Sequence, residues 1–127
     1  MPDLQMHQTA DNAVYEASGR HLLLTIGECR HELLDDEKAL RDLALAAAEA
    51  TGATVLDLCS RKFQPQGVTA LVLLAESHAS LHTYPEADVI FWDCFTCGTT
   101  CDPELSVDVL VKALGGKIVS KQIVSRP

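Results

Sequence analysis

The chain has 127 residues, 47% apolar and 22% charged, with a formal net charge of −8. That length fits one domain with a moderate core, and no apolar run approaches the ~18–20 residues a membrane span needs. The ten basic residues are scattered, with Arg61-Lys62 the only adjacent pair. Nucleic acid is therefore not expected as a partner, because phosphate binding needs clustered cations.

Residues 1–18 are polar and show no usable period. They read as a frayed N-terminus. A basic segment followed by an apolar one is missing there, so a cytoplasmic location is expected rather than secretion. Arg20 to Cys29 reads as a first, largely buried strand. Between Asp35 and Thr51 the period changes. Leu40, Leu43, Ala44 and Ala47 fall at i, i+3, i+4 and i+7, with Asp35 or Asp36 as a cap and Gly52 as a stop. Ala53–Phe63 is expected as a second strand, and Gln64-Pro65-Gln66-Gly67 as a turn.

Val68–Ala75 reads as a third strand, apolar at both parities, which predicts that both of its faces are covered. Ser80–Tyr84 reads as strand again, with Ser80, His82 and Tyr84 on one side and Leu81 and Thr83 on the other. Pro85-Glu86 breaks it, and Asp88–Thr96 follows as a further strand. After a loop, Asp102-Pro103 is expected to open a helix, with the acid as cap and the proline at the first helical position. Its apolar stripe is Val107, Leu110, Val111 and Leu114, and Gly115-Gly116 ends it. Lys117–Val124 is the last strand. The order predicts an α+β fold: a two-layer α/β sandwich, with two helices on one face of a mainly antiparallel sheet. A second copy of the chain is the simplest cover for the other face.

The chemistry concentrates between Ala75 and Gly98, where Glu76, Ser77, His78, His82, Glu86 and Cys97 fall within one short span. Ser77 is not in a G-x-S-x-G elbow, so a hydrolase nucleophile has little support. His82 brings an imidazole, the side chain best suited to acid–base work near neutral pH. Cys94, Cys97 and Cys101 with a histidine would make a zinc-binding interaction module, but the odd spacing of Cys94 and Cys97 sends them to opposite faces of a strand. A further reading keeps only Cys97, as a positioned thiol just past a strand end, joined with Ser77 and His82 in one site.

The segments E-S-H-A-S-L-H-T-Y-P-E and D-C-F-T-C-G resemble the paired motifs of the bacterial and archaeal S-adenosylmethionine decarboxylases. Gly19-Arg20-His21-Leu22 with Glu28-Cys29, and Phe63-x-Pro65-x-Gly67-Val68, extend the likeness to most of the chain. The resemblance implies a zymogen, residues 1–127 in one domain, that cuts itself between Glu76 and Ser77. The products would be a β chain of residues 1–76 and an α chain of residues 77–127, whose head is a pyruvoyl group derived from Ser77.

By the same resemblance the pyruvoyl forms a Schiff base with the substrate and acts as the electron sink for decarboxylation. His82 would serve processing as a proton acceptor, and Cys97 would return a proton to the substrate's α-carbon. Phe63 would stack on adenine, and Glu86 would bind the ribose hydroxyls. Thr69 stands where the family often has serine, its hydroxyl orienting the scissile carbonyl, so slower processing is expected. Tyr84 replaces a common tryptophan, while Asp93-Cys94 and Cys101 bring thiols given no role. The implied product is the aminopropyl donor of spermidine biosynthesis. The implied partners are a small-molecule substrate and a second cleaved protomer, with no metal, nucleic acid or membrane. A pyruvoyl-dependent arginine or ornithine decarboxylase on the same scaffold is the alternative substrate reading, and a non-processing partner subunit is another.

Overall fold

The computed structural model describes residues 17–127, so the expectation of a frayed N-terminus falls largely outside it. Six strands and two helices follow in the order β1 (Gly19–Gly27), α1 (Glu37–Ala50), β2 (Val55–Lys62), β3 (Val68–Leu74), β4 (Ser77–Tyr84), β5 (Val89–Cys97), α2 (Leu105–Leu114) and β6 (Lys117–Arg126). The strands form one sheet in the order β2-β3-β4-β5-β1-β6, with every neighbouring pair antiparallel. This is the expected two-layer α+β sandwich. Two strands are longer than their sequence patterns implied: β4 starts at Ser77 rather than Ser80, and β6 runs to Arg126 rather than Val124.

Alternation along each strand sends one set of side chains toward the helices. Leu22, Leu24 and Ile26 of β1, Val68, Ala70, Val72 and Leu74 of β3, and Ala79 and Leu81 of β4 are all buried. So are Ile90, Trp92 and Cys94 of β5. Onto them pack Leu40, Ala44, Ala47 and Ala48 of α1 and Val107, Leu110 and Leu114 of α2. The alanines let α1 lie close to the sheet. Two polar ties complete this layer. The Trp92 indole donates to Ser106 Oγ at 3.0 Å, and the Thr83 hydroxyl donates to the Leu34 carbonyl while accepting from Val68 N–H.

Helix starts differ in how far their signals hold. Asp36 caps α1, its carboxylate accepting from Ala39 N–H at 3.1 Å. Asp35, the other candidate, instead accepts from Lys62 and from Gly67 N–H, and so ties the first helix to the β2–β3 turn. The expected cap at Asp102 is displaced: α2 begins at Leu105, with Glu104 at the cap position and no side-chain cap. Asp102 Oδ1 accepts from Glu104 N–H, so Asp102-Pro103 forms a turn leading into the helix rather than its first residues.

The opposite face of the sheet has no protein layer over it among the described residues. It carries Leu23, Leu71, Leu73 and Phe91, each at least 40% exposed, along with His21, His78, His82 and Asp93. The apolar residues at both parities of β3 thus reflect one face covered by helices and one face open within the single chain. A patch of this kind on a single chain marks an interaction surface.

Candidate active site

Glu76 and Ser77 lie where β3 turns into β4. The register pairs Leu74 with Ser77, so Ala75-Glu76 is a two-residue hairpin turn. Glu76 has φ 59°, a left-handed conformation that costs a residue other than glycine roughly 1–3 kcal/mol. Its carbonyl, on the peptide joining it to Ser77, accepts a hydrogen bond from Cys97 Sγ at 3.1 Å. Cys97 ends β5, where continuing the His78–Phe95 register brings it opposite Glu76. Strand pairing therefore sets a thiol against the carbonyl of a strained peptide.

The remaining candidates gather at the other end of β4. Thr69 and His82 are direct cross-strand partners, and Thr69 Oγ1 lies 3.0 Å from His82 Nδ1. Both line a cavity of about 270 Å³ together with Phe63, Tyr84 and Glu86. The turn at Gln64–Gly67 shapes this cavity: Phe63 N–H donates to the Gly67 carbonyl at 2.8 Å. Gly67 has φ 98°, and a Cβ there would lie 3.1 Å from the Thr83 carbonyl. Glu86 is exposed and accepts from Gln66 Nε2 at 3.3 Å.

These two groups do not meet within one chain. Ser77 and His82 are five residues apart on one strand, roughly 17 Å at ~3.3 Å per residue, and their parities differ. Of the expected trio Ser77, His82 and Cys97, the structure places Cys97 against the Glu76–Ser77 peptide and His82 at the far end of the strand.

The cysteine cluster does not converge either. Cys94 points into the core, and burial first, then the charge of Asp93 and the nearby Cys101, pushes its thiol up to about 12. Cys97 lies on the opposite face and Cys101 is buried in the loop.

A group that sequence reasoning left without a role occupies the centre of the open face. Asp93 Oδ2 lies 2.6 Å from His21 Nε2 and 3.3 Å from His78 Nε2, while its Oδ1 accepts from the Ser80 hydroxyl. Burial would raise the Asp93 carboxyl, but hydrogen bonds from Ser80 and His21 and the neighbouring His78 outweigh it and hold the group below its ordinary range. The three ligand-type atoms lie within 4.8 Å of one another, the one such cluster among the described residues. Its contacts, however, are those of hydrogen bonds. His21 Nδ1 faces the Arg126 guanidinium at 3.4 Å and so acts as acceptor, which leaves the ring proton on Nε2, aimed at Asp93.

The sequence profile of the family described as S-adenosylmethionine decarboxylase matches residues 20–127. The chain belongs to the S-adenosylmethionine decarboxylase family. It is 47% identical over 100 residues to the S-adenosylmethionine decarboxylase proenzyme of Brevibacillus brevis, covering 79% of this chain and 75% of that one. It is 42% identical over 112 residues to the proenzyme of Symbiobacterium thermophilum, covering 88% and 85%. The crystal structure of the adenosylmethionine decarboxylase from Aquifex aeolicus superposes with a TM-score of 0.77 at 30% identity, over 85% of this chain and 89% of that one. S-adenosylmethionine decarboxylases are enzymes, and these named relatives are made as precursors. Among the described residues no helix is long and apolar enough to cross a membrane.

Proposed function

We propose that this chain cuts itself between Glu76 and Ser77 and that the processed form decarboxylates S-adenosylmethionine, yielding the aminopropyl donor for spermidine. The observation that carries the first half is the strained Glu76 turn with its carbonyl against the Cys97 thiol. The Ser77 oxygen adds to that carbonyl carbon, the peptide C–N bond breaks, and an ester with a free amine results. Loss of the Ser77 α-proton then expels the Glu76 carboxylate and leaves a carbon–carbon double bond at the new chain head. Its enamine takes up water and releases ammonia, leaving a ketone, the pyruvoyl group. The cofactor is thus made of the chain itself, and the residues present suit its formation. A hydroxyl residue follows the carbonyl, a hydrogen-bond donor polarises that carbonyl, and the turn relaxes when cut.

That ketone supplies an electron sink for an amino acid losing its carboxyl group. Cys97 keeps a proton beside the chain head for the substrate's α-carbon. Phe63 presents an aromatic face to the adenine and Glu86 an acceptor to the ribose hydroxyls. Thr69 and His82 form a hydrogen-bonded couple suited to moving a proton during processing. The names of the relatives favour S-adenosylmethionine over arginine or ornithine.

The second half of the site comes from another copy. The ~17 Å between the chain head and the Phe63–Glu86 cavity closes when two open faces meet in antiparallel fashion. The Ser77 end of one β4 then lies over the His82 end of the other. The exposed leucines and Phe91 support such a face-to-face homodimer, with Thr69 and His82 acting on the neighbour's Glu76–Ser77 bond. Intact-mass measurement of the purified protein tests the reading. It should find two chains, the second lighter than a serine-headed 77–127 fragment by one ammonia. A single uncut chain would overturn it.

A further inference from the structure

Self-cleavage creates a problem that the fold must solve, because the reactive group ends up on a loose strand end. Ser77 is ladder-paired only with Leu74 of β3, across the hairpin turn that cleavage opens, and pairing of β4 with β5 begins one residue later, at His78–Phe95. Chain termini fray unless something ties them down. Cys97 works on the head only if the head keeps its place against β5.

We infer that Asp93 is a positioning residue that clamps the cut end of β4 through His78. Its carboxylate joins side chains from three adjacent strands: His78 and Ser80 of β4, its own β5, and His21 of β1. His78 immediately follows the residue that becomes the chain head, and Asp93 shares β5 with Cys97. One carboxylate therefore holds the strand that bears the ketone to the strand that bears the proton donor. The ring of His78 is further braced by His21, edge-on at 5.6 Å between centroids, and by Phe95 at 6.0 Å. Arg126 lies 4.6 Å above Phe95, which extends the brace to β6. Before cleavage the covalent hairpin does the same work, so the clamp matters in the processed enzyme and not in its precursor.

The inference rests on the self-cleavage reading, and the experiment separates the two. Asp93→Asn keeps the shape and the Ser80 partner but turns one oxygen into an amide donor that cannot accept from the histidines. Hydrogen exchange at the amides of residues 78–80 is compared in cut and uncut protein. In the cut variant these amides should exchange about tenfold faster than in the cut parent, with β1 and β3 unchanged. In a Ser77→Ala background, which stays uncut, the same substitution should change them less than about threefold. In turnover, kcat should fall about tenfold with KM held within about twofold, since Asp93 lies outside the Phe63–Glu86 cavity. Equal acceleration in cut and uncut chains, or none in the cut chain, would overturn the clamp while leaving self-cleavage intact. A parent chain found uncut by mass would remove both. Should Asp93→Asn fail to fold or to cut, His78→Gln, which removes the ring from the Asp93 oxygen and leaves that carboxylate to Ser80 and His21, is measured in the same way, with the same outcomes deciding.

Discussion

The two ends of β4 are built by different means. At the Ser77 end the backbone is the special feature: a left-handed residue in a two-residue turn, a carbonyl under a thiol, and the bond proposed to break. At the Tyr84 end the backbone is regular, and side chains do the work, as Thr69 and His82 pair across strands beside a cavity walled by Phe63 and Glu86. On the proposed reading the first end is used up by cleavage while the second stays as the receptor. About 17 Å of extended strand separates the two ends.

The largest effect expected from setting the ends against each other comes from mixed dimers. Ser77→Ala and His82→Ala should each be nearly inactive alone. Co-expressed, they should recover about a quarter of wild-type activity, since half of randomly formed dimers are mixed and each mixed dimer holds one site free of both lesions. No recovery on mixing would place both ends in a single-chain site. Next, Cys97→Ala should still yield two chains by mass while kcat falls by ~10²–10⁴, the usual loss of a positioned acid. A normal rate would remove the thiol from the proton step. The smallest effect is Phe63→Ala, which should raise KM by about fivefold to tenfold at an unchanged extent of cleavage, in line with one lost aromatic contact. Loss of cleavage instead would mean that the receptor end takes a larger part in processing.

The helix-covered layer was readable from the sequence because its signals are local. The i, i+3, i+4 run from Leu40 to Ala47 and the alternation through Leu22, Leu24 and Ile26 each declare a face within one element. The Glu76–Ser77 and Cys97 assignments came from motif resemblance, and the left-handed turn that makes the bond special had no residue signature, glutamate being an ordinary choice. The Asp93 cluster escaped because it depends on strand order. His21 and Asp93 are 72 positions apart and meet only because β1 inserts beside β5. A faint signal was present: a histidine and an aspartate each occupy the side of an apolar strand opposite its buried leucines or tryptophan. The displaced start of α2 has a local cause. Asp102-Pro103 suits a turn as well as a cap, and only the backbone path decides between them.

The strand order carries a further consequence for a protein cut at residue 76. The β fragment owns β1, β2 and β3, yet the two neighbours of β1 in the sheet, β5 and β6, both belong to the α fragment. The two pieces are woven through each other like the fingers of clasped hands. Each fragment would keep one internal ladder, β2–β3 or β4–β5, but β1 would have no partner in its own fragment, so on the proposed cut the chain would fold before it is severed. Once severed, the fragments would be held together without a covalent link by the β1–β5, β1–β6 and β3–β4 ladders. Unfolding the mature protein would then be a one-way event, because the thread that set the weave is gone.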